Sequence, residues 1–269
     1  MLWLWILLGV IVVLAVLLLV ASGYFFRFSI RRHRRELTDE QYNDPGSIWQ
    51  PFASRMAQAQ EYIRTHTTER ITLRSYDGLE LTALYLPAQG EPKGTVIAFH
   101  GYRSLATIDF ALEVEFLGSL GYDVLLPYQR SHGLSQGKYI TYGVKERFDC
   151  RDWAKYAAQR WGERPLFLMG ISMGSATVMM ASDLDLPKST RGIVADCGFT
   201  SPWEIMAHVA KRDFRLPPFP LLYLLDVIAR LRAGFSLKGA DSRQALSRTS
   251  LPVLLLHGED DDFVPVSMT

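Results

Sequence analysis

Residues 165–180 read PLFLMGISMGSATVMM. The apolar run to Met169 predicts a strand, the glycine-rich segment 170–174 a tight turn, and the apolar segment from Ala176 a helix. Strands of the same continuous apolar character recur, with helical stretches between them. The strands are Thr95–Phe99, Tyr122–Pro127, Leu166–Gly170, Gly192–Asp196 and Leu251–His257, and the helices lie near Ile108–Leu120, Val144–Trp161 and Ser172–Ser182. Because such strands are buried on both faces, we predict an α/β fold with a mostly parallel sheet and flanking helices.

Two further segments complete this domain. Upstream, apolar residues alternate with polar ones on both sides of Asp77-Gly78, a pattern that predicts a hairpin. Downstream, residues 201–247 are helical, are interrupted by the proline-rich run at 217–220, and separate two predicted strands. An insertion at the carboxyl ends of parallel strands is typical of a lid, so we predict a helical cap over 201–247.

The first 26 residues predict a membrane anchor. Leu2–Phe26 contains no charged residue, and 25 helical residues measure roughly 37 Å, enough to cross a hydrocarbon core of about 30 Å. A signal peptide is the alternative, but no basic residue precedes the core and the core is too long. The arginines that follow, Arg27, Arg31, Arg32, Arg34 and Arg35, predict a single-pass protein whose C-terminal domain is cytoplasmic. They are either a stop signal alone or also a binding site for anionic lipid headgroups.

Residues 27–69 are predicted to be a basic connector between the anchor (1–26) and the α/β domain (70–269). Thr38–Gln41 has the spacing of a capping box, and Asn43–Gly46 is a turn. Farther on, apolar residues recur at helical spacing and predict an amphipathic helix that packs on the domain. Those residues are Phe52, Met56, Ala59 and Ile63.

Composition excludes several kinds of protein. The chain has 269 residues, 29 Lys and Arg against 28 Asp and Glu, and a net charge of +1. A nucleic-acid partner is not expected, because no strongly basic surface follows from that balance. Two cysteines form no disulfide framework, and no Cys/His group has metal-ligand spacing, so we expect neither a metal nor a cofactor.

Ser172 is the candidate nucleophile. It is the serine of a G-x-S-x-G sequence at 170–174, set between a strand and a helix, where the hydroxyl is exposed above the sheet. The alternative is an ordinary turn with a helix-capping serine. In such a site the backbone N–H after the nucleophile, here that of Met173, is one oxyanion donor, and Tyr102 in the loop after Thr95–Phe99 supplies the second.

The acid of the site is predicted in the loop that begins at His257. Asp260, Asp261 and Asp262 compete, and spacing from His257-Gly258 favours Asp261 as the carboxylate that orients a general base. Its neighbours are expected to cap the loop or face water. A calcium site is the functional alternative, but no second acidic segment accompanies it.

Together these residues resemble the α/β-hydrolase-fold superfamily, and within it the bacterial group often called serine aminopeptidase-like hydrolases. The matching segments are His100–Tyr102, Tyr128–Gly133 with Ser135, Gly170–Gly174, Asp196–Ser201 and His257–Pro265. The resemblance covers residues from about 70 to the end. It implies an eight-stranded sheet, a cap, and hydrolysis of an ester, thioester or amide bond in a small-molecule, lipid or peptide substrate without a cofactor. It also implies that His132 orders its loop.

The histidine of a Ser–Asp–His triad is expected a few tens of residues after the acid, following one more strand. None of the six histidines occupies that position; they are His33, His66, His100, His132, His208 and His257. Two hypotheses follow. The first is a membrane-anchored serine hydrolase, here in a C-terminally incomplete copy that lacks a strand and a helix and whose catalytic histidine lies elsewhere. The second is a non-catalytic, membrane-tethered binding module with a degenerate hydrolase pocket.

Overall fold

The computed structural model describes residues 1–32 and 50–268. The predicted capping box at Thr38–Gln41, the turn at Asn43–Gly46, and the residues His33, Arg34 and Arg35 lie outside that range. Helix α1 (Leu2–Ser29) is continuous and extends three residues past Phe26. By length and composition it is the one described helix suited to cross a bilayer.

A seven-stranded sheet forms the centre of the domain. Its order is β1-β2-β4-β3-β5-β6-β7, in which β2 is antiparallel to β1 and β4 and the remaining neighbours are parallel. The strands are β1 (Glu69–Arg74), β2 (Glu80–Leu86), β3 (Gly94–Phe99), β4 (Tyr122–Pro127), β5 (Leu166–Ile171), β6 (Thr190–Asp196) and β7 (Val253–Leu256). The predicted mostly parallel sheet is confirmed, and so is the hairpin, whose turn contains Gly78 at φ 87°.

Helices cover both faces of the sheet. In β3, Ile97 and Phe99 pack against α5 (Glu146–Trp161) and α6 (Met173–Ala181), whereas Ala98 faces the opposite side. That second side is covered by α2 (Ala53–His66), α3 (Ala106–Asp109) and α4 (Ala111–Ser119). Successive strand residues point to opposite faces, so the continuous apolar strands are buried between two helical layers.

Three sequence predictions need correction. The helix expected near Ile108–Leu120 is divided at Phe110 (φ −112°, ψ 17°), because the Asp109 carboxylate accepts hydrogen bonds from the loop after β3. Phe52 is half exposed in a 3-10 turn at Gln50–Phe52, so it does not share the buried face of Met56, Ala59 and Ile63. The last predicted strand is shortened to β7, since Pro252 has no N–H to donate to a sheet.

The sheet has seven described strands where the family resemblance implies eight. Strand β7 pairs with β6 alone, and three of its leucines are 42–54% exposed. They are Leu254, Leu255 and Leu256. The apolar surface of β7 is therefore only partly covered by the described residues.

Helices α7 (Pro202–Phe214), α8 (Leu221–Ala233) and α9 (Ser242–Leu246) lie between β6 and β7 in the chain. Helix α7 begins with Ser201, whose side chain accepts the N–H of Glu204. Helix α8 packs along α1, whereas α9 packs on α6. A separate apolar cluster joins Phe26 and Ile30 at the end of α1 to Leu222 and Leu225 of α8. The predicted cap and the three domain boundaries stay predictions.

Candidate active site

Ser172 occupies a sharp turn between β5 and α6. Its backbone is in the left-handed region (φ 53°, ψ −113°), a conformation that costs a non-glycine residue about 1–3 kcal/mol. The Ser172 N–H donates to the carbonyl of Asp196 at 2.8 Å, which ties the turn to β6. A Cβ at Gly170 would lie 2.3 Å from the Gly174 oxygen, and one at Gly174 would lie 1.8 Å from the Phe99 oxygen. Only glycine fits at either position, and the close approach of β3, β5 and α6 fixes the serine.

The loop after β3 lies directly against the nucleophile. A Cβ at Gly101 would be 3.5 Å from the Cβ of Ser172. The N–H of Gly101 donates to Asp109 at 2.7 Å, and the N–H of Arg103 donates to His132 at 3.1 Å. Between them, the N–H of Tyr102 donates to no acceptor in the described residues.

Met173 supplies a second N–H beside the same serine. It is the first residue of α6, and the first N–H groups of a helix have no intrahelical acceptor. The two backbone donors expected for an oxyanion, those of Tyr102 and Met173, therefore flank Ser172. Their catalytic role stays a prediction.

A pair of buried histidines holds this loop in place. The rings of His100 and His132 meet edge to face with centroids 4.8 Å apart. The Nε2 of His100 accepts the N–H of Gln129, and the Nε2 of His132 accepts that of Arg103. Both rings are thus neutral and carry their proton on Nδ1. Burial lowers the pKa of His100 to about 4 and that of His132 to about 3.

Acid should destabilise the fold through these two rings. An unfolded histidine has a pKa of about 6.5, so below pH 6.5 the unfolded chain binds protons that the folded chain excludes. The free energy of unfolding is highest above pH 6.5 and falls as the pH falls toward 4. His132→Asn, whose amide oxygen can still accept the Arg103 N–H, should remove roughly 3 kcal/mol of that loss. Unfolding in non-ionic detergent at pH 7 and pH 4 measures the difference.

The matched control is His66→Asn, because His66 is exposed on α2. Between pH 7 and pH 4, the free energy of unfolding of His66→Asn should fall by as much as that of the parent protein. A His132→Asn protein that loses as much stability as the parent would contradict the burial argument.

Backbone N–H groups of its own loop fix the Asp261 carboxylate. Its Oδ1 accepts the N–H groups of Phe263 and Val264, both at 2.9 Å, while Oδ2 lies 3.5 Å from Nε2 of His257. Asp260 and Asp262 are exposed, as expected of loop residues that face water. In the described residues no group of three or more His, Cys, Asp or Glu side chains has metal-site geometry.

No described histidine lines the cavity that contains Ser172. The Nε2 of His257 lies 2.6 Å from the carbonyl of Val264, and that of His208 lies 3.0 Å from the carbonyl of Asp262. His100 and His132 are engaged by the oxyanion loop, and His66 stacks on Tyr62. In the described part of the chain, Ser172 and Asp261 are therefore present without an imidazole between them.

The cavity above Ser172 has a volume of about 250 Å³. Its walls are mostly apolar and come from the oxyanion loop, from α7 and α8, from the Asp261 loop and from α1. The contributing side chains include Tyr102, Tyr142, Phe199, Met206, Phe214, Leu222, Leu225 and Phe263. A cleft with this lining suits an acyl chain better than a charged peptide.

The end of α1 forms one wall of this cavity. Phe25, Phe28 and Ser29 all line it, and the Phe25 ring meets Phe214 of α7 edge to face at 4.9 Å. The carbonyl of Ser29 accepts the hydroxyl protons of Tyr102 at 2.7 Å and Tyr142 at 2.9 Å. Helix α1 thus contributes to the wall of the candidate site, which its uniform hydrophobicity does not reveal.

Arg32 is hydrogen-bonded to the domain. Its guanidinium donates to the carbonyls of Gly133 and Ser135 at 2.6 and 2.7 Å, and its N–H donates to Lys138. One arginine of the basic flank therefore fastens the anchor to the loop that contains His132.

The fold, with a strand–turn–helix at Ser172, defines an α/β-hydrolase-fold protein. Among solved structures, the Pyrococcus furiosus esterase Pf2001 is similar, with a TM-score of 0.57 and 26% identity over 74% of each chain. The sequence profile of the family described as "Serine aminopeptidase, S33" matches residues 90–217. A Bacillus subtilis relative, the uncharacterized protein YqkD, is 30% identical over 207 residues, which cover 72% of this chain and 68% of that protein. The chain belongs to the serine aminopeptidase-like family of α/β-hydrolases.

A curated lipase is also similar. The lysophosphatidylserine lipase ABHD12 of Danio rerio is 28% identical over 178 residues, or 64% of this chain. The match spans 44% of that lipase, so the chain corresponds to less than half of it.

Proposed function

We propose that this chain is a membrane-anchored serine hydrolase that cleaves an acyl ester of a lipid-like amphiphile through an acyl-enzyme on Ser172. The observation that carries the proposal is that Ser172 and the end of the apolar helix α1 line the same cavity. The names of the similar proteins, a lysophosphatidylserine lipase and an esterase, agree with ester chemistry. Thioesters and amides are the less favoured bonds.

The reaction follows from the groups around the serine. The Ser172 hydroxyl oxygen attacks the ester carbonyl as a base removes its proton, and the N–H groups of Tyr102 and Met173 stabilise the resulting oxyanion. The tetrahedral intermediate collapses to the acyl-enzyme, the alcohol leaves with a proton, and water then releases the acid. Asp261 orients the base, an imidazole that comes from outside the described residues.

The burial pattern of α1 supports a site at the membrane surface. Side chains from Leu2 to Leu17 are exposed, and those at Ser22, Phe26 and Ile30 are buried against the domain. About 20 residues before Ser22 measure about 30 Å, the thickness of a hydrocarbon core. The next turns then lie at the interface, where a lipid reaches the cavity without crossing water. The arginine-rich flank after the helix favours a cytoplasmic domain.

Chemical rescue tests the nucleophile and its base together, because no described histidine lines the cavity. The chain should react slowly with a fluorophosphonate probe, because a serine hydroxyl without a base is a weak nucleophile. Added imidazole should raise the labelling rate roughly tenfold as its neutral form increases above pH 7. The measurement is the rate of probe attachment at Ser172, mapped by peptide mass spectrometry.

Ser172→Ala should show no labelling at either imidazole concentration, and Ser175→Ala, on the next turn of α6, should behave like the parent. Equal labelling of Ser172→Ala would remove the nucleophile assignment. Rapid labelling that ignores imidazole would show that a base is already in place.

The second candidate function is a membrane-tethered binding module that keeps the cavity without turnover. It is favoured by one observation, that no described histidine lines the cavity. A cavity that binds an alkyl ester tightly, with no labelling of Ser172 at any imidazole concentration, would support this candidate instead.

A further inference from the structure

Arg103 is the one cation that lines the cavity above Ser172 in the described residues. It directly follows Tyr102, and its own backbone is in the left-handed region at φ 56°, a conformation rare for residues with a side chain. The hydrogen bond from its N–H to His132 holds it there. The position of the side chain is therefore set by the same contacts that set the oxyanion loop.

No carboxylate among the described residues compensates the charge of Arg103. Its Nε and Nη2 are shielded from solvent and reach no acceptor in the described residues, which also contain no carboxylate paired with it. The guanidinium instead lies over two aromatic rings, 5.2 Å from the centroid of Phe28 and 4.8 Å from that of Tyr102. Ring faces attract a cation but accept no strong hydrogen bond.

Asp213, the acid that lines the cavity among the described residues, is not the counter-ion of Arg103. Asp213 lines the cavity, but its carboxylate accepts from Arg212 at 2.5 and 3.1 Å. Buried donors without partners are costly to keep. A cation without a counter-charge, beside a serine in an otherwise apolar cavity, is suited to a ligand that supplies both an apolar chain and an anion.

We propose that Arg103 binds the anionic group of the amphiphile whose acyl ester Ser172 attacks, so that the preferred substrate is a single-chain lipid with a phosphate-type headgroup. The apolar walls of the cavity, including Phe25, Phe214 and Leu225, contact the alkyl chain of the lipid, and the Arg103 guanidinium binds its anionic group. The proposal rests on the proposed function for the identity of the reacting bond, but binding of the anion is independent of turnover.

The test measures equilibrium binding in the Ser172→Ala background, with the protein in phosphatidylcholine nanodiscs and empty nanodiscs subtracted. The probes are dodecyl phosphate, the neutral 1-dodecylglycerol, and inorganic phosphate. Calorimetry should show dodecyl phosphate binding at least tenfold more tightly than dodecylglycerol. Arg103→Gln should abolish that preference while dodecylglycerol binding stays within about twofold of the parent, and Arg103→Lys should retain part of it.

Arg248→Gln is the matched control, because it removes a guanidinium that pairs with Asp183 outside the cavity, and it should keep the tenfold preference. Equal binding of the two alkyl probes to the parent would overturn the proposal. So would inorganic phosphate that binds as tightly as dodecyl phosphate, since the site would then hold a free anion. If Arg103→Gln fails to fold by circular dichroism, Arg103→Lys and the probe comparison on the parent decide the matter. Labelling of Ser172 can fail without affecting any of these results.

Discussion

Gly174→Ala should lower the free energy of unfolding by about 3 kcal/mol or more and abolish the reactivity of Ser172. The added Cβ would lie 1.8 Å from the oxygen and 2.4 Å from the carbon of Phe99, and 2.8 Å from the oxygen of His100. All three atoms belong to the backbone, so no rotamer change relieves the contact. Overpacking normally costs about 1–3 kcal/mol, and here α6 must move away from β3. Denaturant unfolding and fluorophosphonate labelling measure the two effects.

Gly258→Ala is the matched control, because a Cβ there meets nothing within 4 Å. Its stability should stay within about 0.5 kcal/mol of the parent. A Gly174→Ala protein as stable as Gly258→Ala would mean that α6 approaches β3 less closely than the structure has it.

Asp149→Ala should destabilise the protein by roughly 3 kcal/mol, within the range for breaking a buried ion pair. The guanidinium of Arg130 donates to both Asp149 oxygens at 2.6 Å, and both side chains are at most 4% exposed. Removing the carboxylate leaves a buried charge with Asp77 alone, which is partly exposed. The Arg130 carbonyl also accepts from the His132 ring, so the oxyanion loop should loosen and labelling of Ser172 should slow.

Two further variants separate the effect of the buried charge from that of losing a carboxylate. Asp185→Ala removes an exposed carboxylate paired with Lys155 and should cost little stability, because water screens the pair. The double variant Arg130→Met/Asp149→Leu should be more stable than Asp149→Ala, because it leaves no unpaired charge in the interior. A double variant less stable than Asp149→Ala would show that the pair acts through its hydrogen bonds rather than its charge.

The sequence predicts well those parts of the fold that local patterns determine. The order of strands and helices, the hairpin at Gly78 and the turn at Ser172 all follow from hydrophobic period and glycine spacing. Element ends are less predictable, because tertiary contacts set them. The break at Phe110 depends on Asp109 reaching a loop that precedes it by several residues, and no local preference signals that bond.

The candidate site is less predictable than the fold. Ser172, Tyr102, Met173 and Asp261 are predictable, because a motif or its position along the chain marks each of them. The contribution of α1 is not predictable in this way, since Phe25 belongs to an apolar run of similar residues and Phe28 follows it after the charged Arg27, with no motif that marks either. The sequence contains two weaker indications of this part of the site: Arg103 follows an expected oxyanion donor, and aromatic residues cluster within 24–28 at the end of α1. The cavity shared by Arg103, Phe25 and Phe28 becomes apparent only when α1 is packed against the domain.

The docking of α1 on the domain also bears on how a substrate would reach the cavity. Under the proposed function, a flexible tether would let the domain sample substrates in water as well as in lipid, whereas the contacts at Ser22, Phe26 and Ile30 would hold the cavity at one height above the bilayer. Under the proposed function, substrate then arrives by lateral diffusion within one leaflet. The rate would depend on the mole fraction of lipid at the surface and not on its bulk concentration. The acid released from Ser172 would return to the same leaflet, where it competes with the next substrate.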